Sequence, residues 1–198
     1  DTPRTTTIAG VLVRRGAGAP SSARRSPLPR SAIFLSHANF ACAPLSVLMS
    51  SLHAAARAGD CAQLEKLLDD GASIEEQDKL RRTPLHIAAH ADQRSSIAVL
   101  LDRGAKISAT AQDCFTALHF AASAGSVEAT RELIARNADL DAVLKNRRTA
   151  LMIAAAKGRA EVVNLLLAAG ADVGKKTLKG ESCFDLASAE ISALLDRH

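Results

Sequence analysis

Apolar and polar positions along the chain follow helical spacing in short blocks, and the blocks return at a fixed interval of 33 residues. Thr83-Pro84-Leu85-His86-Ile87-Ala88-Ala89 is followed by Thr116-Ala117-Leu118-His119-Phe120-Ala121-Ala122 and then by Thr149-Ala150-Leu151-Met152-Ile153-Ala154-Ala155. Ser50-Ser51-Leu52-His53-Ala54-Ala55-Ala56 precedes them at the same spacing. Each block predicts a short helix with its start written locally. Thr83 is a good N-cap, Pro84 sits where its missing donor costs nothing, and His86 can reach back to the cap as Glu does in a capping box. Ser50 with His53 and Thr116 with His119 repeat that pairing, Ser182 with Asp185 gives an acidic version, and Met152 leaves the fourth start less well specified.

The first helix is expected to stop at Gly59, Gly125 and Gly158, and at Asp92 in the second copy, where the turn should persist because Asp tolerates a left-handed backbone. A second helix follows. Its buried stripe is Leu64, Leu67 and Leu68, then Ile97, Leu100 and Leu101, then Leu133 and Ile134, then Leu165 to Leu167. It ends at Gly71, Gly104, Asn137 and Gly170. About a dozen polar residues then lead to the next Thr, which predicts an extended loop that doubles back. Neither helix would be stable alone, so neighbouring units must stack, and the pattern predicts an all-α solenoid of helix-turn-helix units joined by hairpin loops.

These residues resemble the ankyrin repeat, in the Thr-Pro-Leu-His opening, the Gly-Ala after the second helix and the period. The resemblance covers 50–82, 83–115, 116–148 and 149–181 as full repeats, and 182–198 as a shortened one. In that last copy the second helix comes early, which suggests a C-terminal cap with Asp196, Arg197 and His198 as its polar end. The chain departs from the family pattern two residues before Thr, where Arg81, Cys114 and Arg147 replace Gly and only Gly180 conforms. Distorted hairpin tips are expected at those three places. The Asn that the family uses as a hydroxylation target is replaced by Glu75, Ser108, Asp141 and Gly174, so that modification is not implied.

Residues 1–49 read differently. They hold five of the six prolines, paired arginines at Arg14-Arg15 and Arg24-Arg25, and no helical periodicity. This composition predicts a disordered or non-native head, with a mitochondrial transit segment and upstream read-through from Met49 as alternatives. The run Ala32 to Leu35 is too short for a secretory signal. The head also accounts for the charge. The whole chain is +4, but residues 1–48 carry six Arg against Asp1, which leaves the repeats near neutral. The basic pI therefore does not argue for nucleic-acid binding.

Other chemistry is thin. Cys42, Cys61, Cys114 and Cys183 are far apart and read as reduced, packed thiols, and no apolar stretch reaches membrane-spanning length. Gly170 to Thr177 imitates a phosphate loop but has three residues between its glycines, two lysines in succession and a helix before it. His86 and His90 lack a third metal-ligand partner, and Asp139 and Asp141 lack a converging group. No catalytic, cofactor or metal site is expected, and the chain reads as a non-enzyme.

The family resemblance implies a concave face, built from hairpin tips and the exposed side of the first helices, that binds a protein partner. The tip residues are Lys79, Leu80, Arg82, Phe115, Lys145, Arg148 and Lys179, and the helix residues are Arg57, His90 and Lys157. Arg82, Phe115 and Arg148 share one position in successive repeats, so an aromatic flanked by two guanidinium groups is expected, suited to an acidic-hydrophobic segment of another protein. A monomeric cytoplasmic or nuclear scaffold is the expectation, mitochondrial only with a genuine transit segment. The alternatives are the recognition domain of a larger enzyme and a nucleic-acid binder using the basic tips.

Overall fold

The computed structural model describes residues 45–195. Within them five helix pairs follow one another: α1 (Leu45–Ala58) with α2 (Cys61–Asp69), α3 (Pro84–His90) with α4 (Arg94–Asp102), α5 (Ala117–Ala124) with α6 (Val127–Ala135), α7 (Ala150–Ala156) with α8 (Ala160–Ala168), and α9 (Cys183–Leu186) with α10 (Ala189–Leu195). No strand is formed among the described residues. First helices pack on first helices and second on second, as a stack of units that cannot close their own cores requires.

The core repeats with the sequence. Leu52, Leu85, Leu118 and Leu151 are all buried, as are the alanine pairs that follow them, Ala55-Ala56, Ala88-Ala89, Ala121-Ala122 and Ala154-Ala155. Each such leucine contributes ~1.5–3 kcal/mol relative to an exposed one. The second helices supply Leu64, Ile97, Thr130 and Val163 at one position and Leu67, Leu100, Leu133 and Leu166 at the next. Thr130 is the one polar member of these rows, and its hydroxyl donates to the Ser126 carbonyl at 2.6 Å, which removes the cost of burying it.

Both helix starts that carry Thr and His form as expected. The Thr83 amide donates to His86 Nδ1 at 3.1 Å and the Thr116 amide to His119 Nδ1 at 3.3 Å. Asp185 does the same for Ser182 at 2.8 Å. In the fourth repeat Thr149 Oγ1 still accepts from the Met152 amide, but methionine returns nothing to the cap. The first repeat differs. Helix α1 already runs from Leu45, so Ser50 lies inside it and is not an N-cap. Ser51 stands where Pro84 stands in the second repeat, and without proline nothing obliges the helix to begin there.

Turns between paired helices show why Asp92 is tolerated. At Gly125 φ is 86°, and a Cβ would lie 2.7 Å from Arg159 Cδ of the next repeat, so both conformation and space require glycine. Gln93 covers Gly59 in the same way. Asp92 keeps the left-handed backbone at φ 57°, and the position equivalent to Gln93 and Arg159 in the next repeat holds the small Ser126. Its carboxylate then accepts the Ala129 amide at 2.8 Å, so the substitution gains a bond between repeats.

Residues 1–44 of the expected head, with its transit and signal-like segments, and the polar end at Asp196, Arg197 and His198 lie outside the described residues, whereas residues 45–49, expected to be without helix, begin α1. The shortened fifth repeat is present, its first helix reduced to one turn. Phe184 is 40% exposed there, although its equivalents Leu85, Leu118 and Leu151 are buried.

Candidate functional site

Each hairpin is closed by the same backbone pair across four residues. The Asp78, Leu144 and Thr177 amides donate to the Arg82, Arg148 and Glu181 carbonyls at 3.0, 3.0 and 2.9 Å. Arg81 and Arg147 adopt φ of 58° and 60°, close to the left-handed geometry Gly180 takes at 81°, so those tips are undistorted, contrary to expectation. Side chains stabilise them. Asp78 Oδ1 accepts the Leu80 and Arg82 amides, and Thr177 Oγ1 accepts the Lys179 and Glu181 amides. Ala111 and Leu144 offer no such side chain at the equivalent position; at the Leu144 tip Asn146 Oδ1 accepts the Arg148 amide at 3.2 Å, and only the Ala111 tip is distorted. There Gln112–Cys114 forms a 3₁₀ turn with Asp113 and Cys114 both at positive φ. Cys114 is consequently exposed and is not the packed thiol expected, whereas Cys183 is buried.

The tips are joined to one another. The Gln112 amide meets the Leu80 carbonyl, the Lys145 amide the Asp113 carbonyl and the Leu178 amide the Asn146 carbonyl, at 3.2 to 3.4 Å. Histidines tie them to the helices. Because His86 Nδ1 accepts the Thr83 amide, its proton is on Nε2, which donates to the Ala109 and Phe115 carbonyls at 3.1 and 3.2 Å. Burial pushes the His86 imidazole below its ordinary pKa and pushes His119 down to about 4. Both are neutral, but only His86 is a link through its Nε2; His119 Nε2 is buried without a hydrogen-bond partner. His53 makes a similar link, Nε2 to the Arg82 carbonyl at 2.9 Å.

The expected row of Arg82, Phe115 and Arg148 is divided. Arg82 is held by Asp78, with Nη2 and Nε 2.7 and 2.8 Å from Oδ2. Burial raises the Asp78 pKa, but the hydrogen bonds from the Arg82 side chain and from the Arg82 and Leu80 amides outweigh it, so the carboxyl titrates below its ordinary range. Arg82 lines a cavity of about 330 Å³ with Arg57, His90, Ile87 and Phe120. Phe115 and Arg148 line a different cavity, of about 380 Å³, with Lys145, Lys157, Leu144 and Ile153. The Phe115 ring does not stand between two guanidinium groups. It leans on Phe120, centroids 5.4 Å apart, and edge-on to His119 at 5.9 Å, while His86 and His90 meet Phe120 from the other side.

Lys79, Leu80 and Lys179 are exposed and line neither cavity. Leu80 is 49% exposed and Leu178, three repeats further along the row of tips, 68%. Lys145 pairs with Asp113 at 3.0 Å, and Lys157 Nζ donates to Ser123 Oγ at 2.6 Å. The face is thus less basic than its lysines and arginines suggest. Sequence reasoning missed the cavity floors, Ile87, Phe120 and Ile153. These share the fifth position of the recurring block, so the period that located the cap would also have located them.

Among the described residues no group of three or more His, Cys, Asp or Glu side chains could hold a metal ion. None of the helices is long and apolar enough to cross a membrane. A family model described as ankyrin repeats in three copies matches residues 33–111 and again residues 108–177, beginning upstream of the boundary expected at residue 50. No curated protein matches the chain.

Proposed function

This chain belongs to the ankyrin-repeat family, and on that premise we propose that it is a non-catalytic scaffold or adaptor that binds another protein through its hairpin-tip face. Ankyrin repeats generally mediate protein-protein interaction, and the finer reading is carried by one observation. Phe115, Arg148 and Lys157 from three successive repeats surround a single cavity with an apolar floor. Such a surface suits an acidic-hydrophobic segment, because the floor takes apolar side chains while the rim attracts carboxylates. The module acts as a monomer in the cytoplasm or nucleus. A nucleic-acid partner fits less well, since Asp78 and Asp113 place carboxylates in the same face and there is no exposed aromatic row for stacking bases.

The test is affinity capture with the full chain and with a charge-reversed variant carrying Lys79→Glu, Arg148→Glu and Lys179→Glu. Proteins retained by the wild type and lost from the variant support the reading. Equal retention by both sinks it, and capture that vanishes on nuclease treatment favours nucleic acid instead.

A further inference from the structure

Within that proposed face the cations are not equivalent. Lys145 is neutralised by Asp113 at 3.0 Å, and Arg82 by Asp78 at 2.7 Å. Arg148 makes no ion pair among the described residues; its backbone amide donates to Asn146 Oδ1 at 3.2 Å. Lys157 donates only to a neutral hydroxyl, Ser123 Oγ. These two uncompensated cations border the same cavity, and they come from different elements, Arg148 from the end of a hairpin and Lys157 from the end of α7. Between them lie Phe115 and Ile153, the latter 8% exposed.

We infer that this cavity is a specific subsite for an apolar side chain adjacent to a carboxylate in a partner polypeptide. The apolar side chain rests on Phe115, Leu144 and Ile153, and the carboxylate is taken by Arg148 and Lys157, not by Lys145. The inference rests on the proposed function and adds to it which cations read the partner. Charge complementarity decides between the two cavities. The one lined by Arg57 and Arg82 also contains Asp78, which leaves it a single unpaired cation, whereas the one at Arg148 and Lys157 retains two after Asp113 has neutralised Lys145. A guanidinium and an ammonium converging beside an apolar wall hold a carboxylate more tightly than either does alone in water, because the wall excludes competing solvent.

The probe is a short fluorescein-labelled peptide of alternating leucine and glutamate, titrated against the full chain by fluorescence anisotropy. Two control peptides replace all leucines by serine or all glutamates by glutamine, and each should bind about tenfold more weakly. Arg148→Ala and Lys157→Ala should each weaken the leucine-glutamate peptide about tenfold. Lys145→Ala combined with Asp113→Asn removes a cation without changing net charge, and should change affinity by less than about twofold. Far-UV circular dichroism checks that the variants remain folded.

The subsite is overturned if the wild type fails to bind the peptide, if either control peptide binds as well as the parent, or if the Lys145 and Asp113 pair matters as much as Arg148. If Arg148→Ala and Lys157→Ala are silent while the triple charge reversal abolishes partner capture, the subsite fails and the tip-face reading stands. If the triple reversal is silent too, both fail.

Discussion

The side of the stack formed by the second helices and the side formed by the hairpin tips are both rich in arginine, and they use it in opposite ways. On the second-helix side the charges close on each other between repeats. Arg103 reaches back to Asp69 at 2.7 Å, and Arg136 reaches back to Asp102 at 2.6 Å from equivalent positions one repeat later. Glu132 accepts from Arg94 of the preceding repeat and from Arg136 of its own, both at 3.1 Å. The ladder stops where Ala135 and Ala169 occupy the next rung. At the tips, Arg57, Lys79, Arg148, Lys157 and Lys179 enter no ion pair among the described residues. Charges that the fold itself compensates belong to stacking, and charges it leaves uncompensated remain for a partner.

The tip side is ordered by neutral imidazoles as well as by ion pairs, so acid should separate the two sides with the largest effect. His119 is neutral in the folded state down to about 4 because burial disfavours its charge, whereas in the unfolded chain it takes a proton below about 6.5. The unfolded state then binds more protons, so stability is full above pH 6.5, falls as pH drops toward 4, and levels off below that. At ~1.4 kcal/mol per unit the total loss from this one residue is roughly 3 kcal/mol. His86 adds to it in the same direction, starting at the same upper limit. Met152 occupies the equivalent position of the fourth repeat without titrating, which makes His119→Met the natural control. Urea unfolding at pH 7.5 and 4.5 should show the variant losing roughly 2–3 kcal/mol less than the wild type on acidification. An equal loss in both would mean that the buried imidazole is not what acid attacks.

On the second-helix side the largest single effect should come from Glu132. It is 8% exposed, and it meets arginines from two repeats at shorter distances than the exposed Glu128, which pairs with Arg94 and Arg131 at 3.5 and 3.7 Å. Glu132→Ala should lower Tm by roughly 3–6 °C, because it removes the bond between repeats along with the pair inside α6. Peptide binding at the tips should be unchanged. Loss of binding in this variant would show that the two sides are coupled through the stack, and that the division between stacking and recognition is too sharp.

How much of this was legible beforehand divides along the same line. Helix starts, helix ends and the core rows could be read from the chain because they depend on residues a few positions apart, as Thr83 with His86 or Gly71 with Leu68 do. The persistence of the turn at Asp92 was also legible, but the bond its carboxylate gains was not, since the Ala129 amide that donates to it comes from the next repeat. The tips were read least well. Arg82 was expected in one row with Phe115 and Arg148, and it lines a separate cavity, its guanidinium held by Asp78 four residues before it. Distortion was expected at Arg81, Cys114 and Arg147 and occurs only at Cys114, because Asp78, Asn146 and Thr177 brace the other tips by accepting backbone amides within the loop. The start of α1 at Leu45 was missed because Ser50 imitates a cap without the proline that would enforce it.

The smallest effect should come from the outer rung of the ladder. Asp69 and Arg103 meet at 2.7 Å with side chains 65% and 40% exposed, so water and salt compete for both charges and two flexible side chains must be ordered to hold them. Asp69→Lys should therefore move Tm by no more than about 2 °C in dilute buffer. That shift should disappear near 1 M salt, where screening acts within ~3 Å. The combined Asp69→Arg and Arg103→Asp exchange should restore the wild-type value, since it reverses the pair while keeping its geometry. A shift as large as that of Glu132→Ala, surviving in salt, would mean that exposed rungs hold the repeats together as firmly as the buried one. Compensation within the fold would then be a strong stabilising device across the whole side, and the free cations at the tips would stand out all the more as sites where that stabilisation is given up.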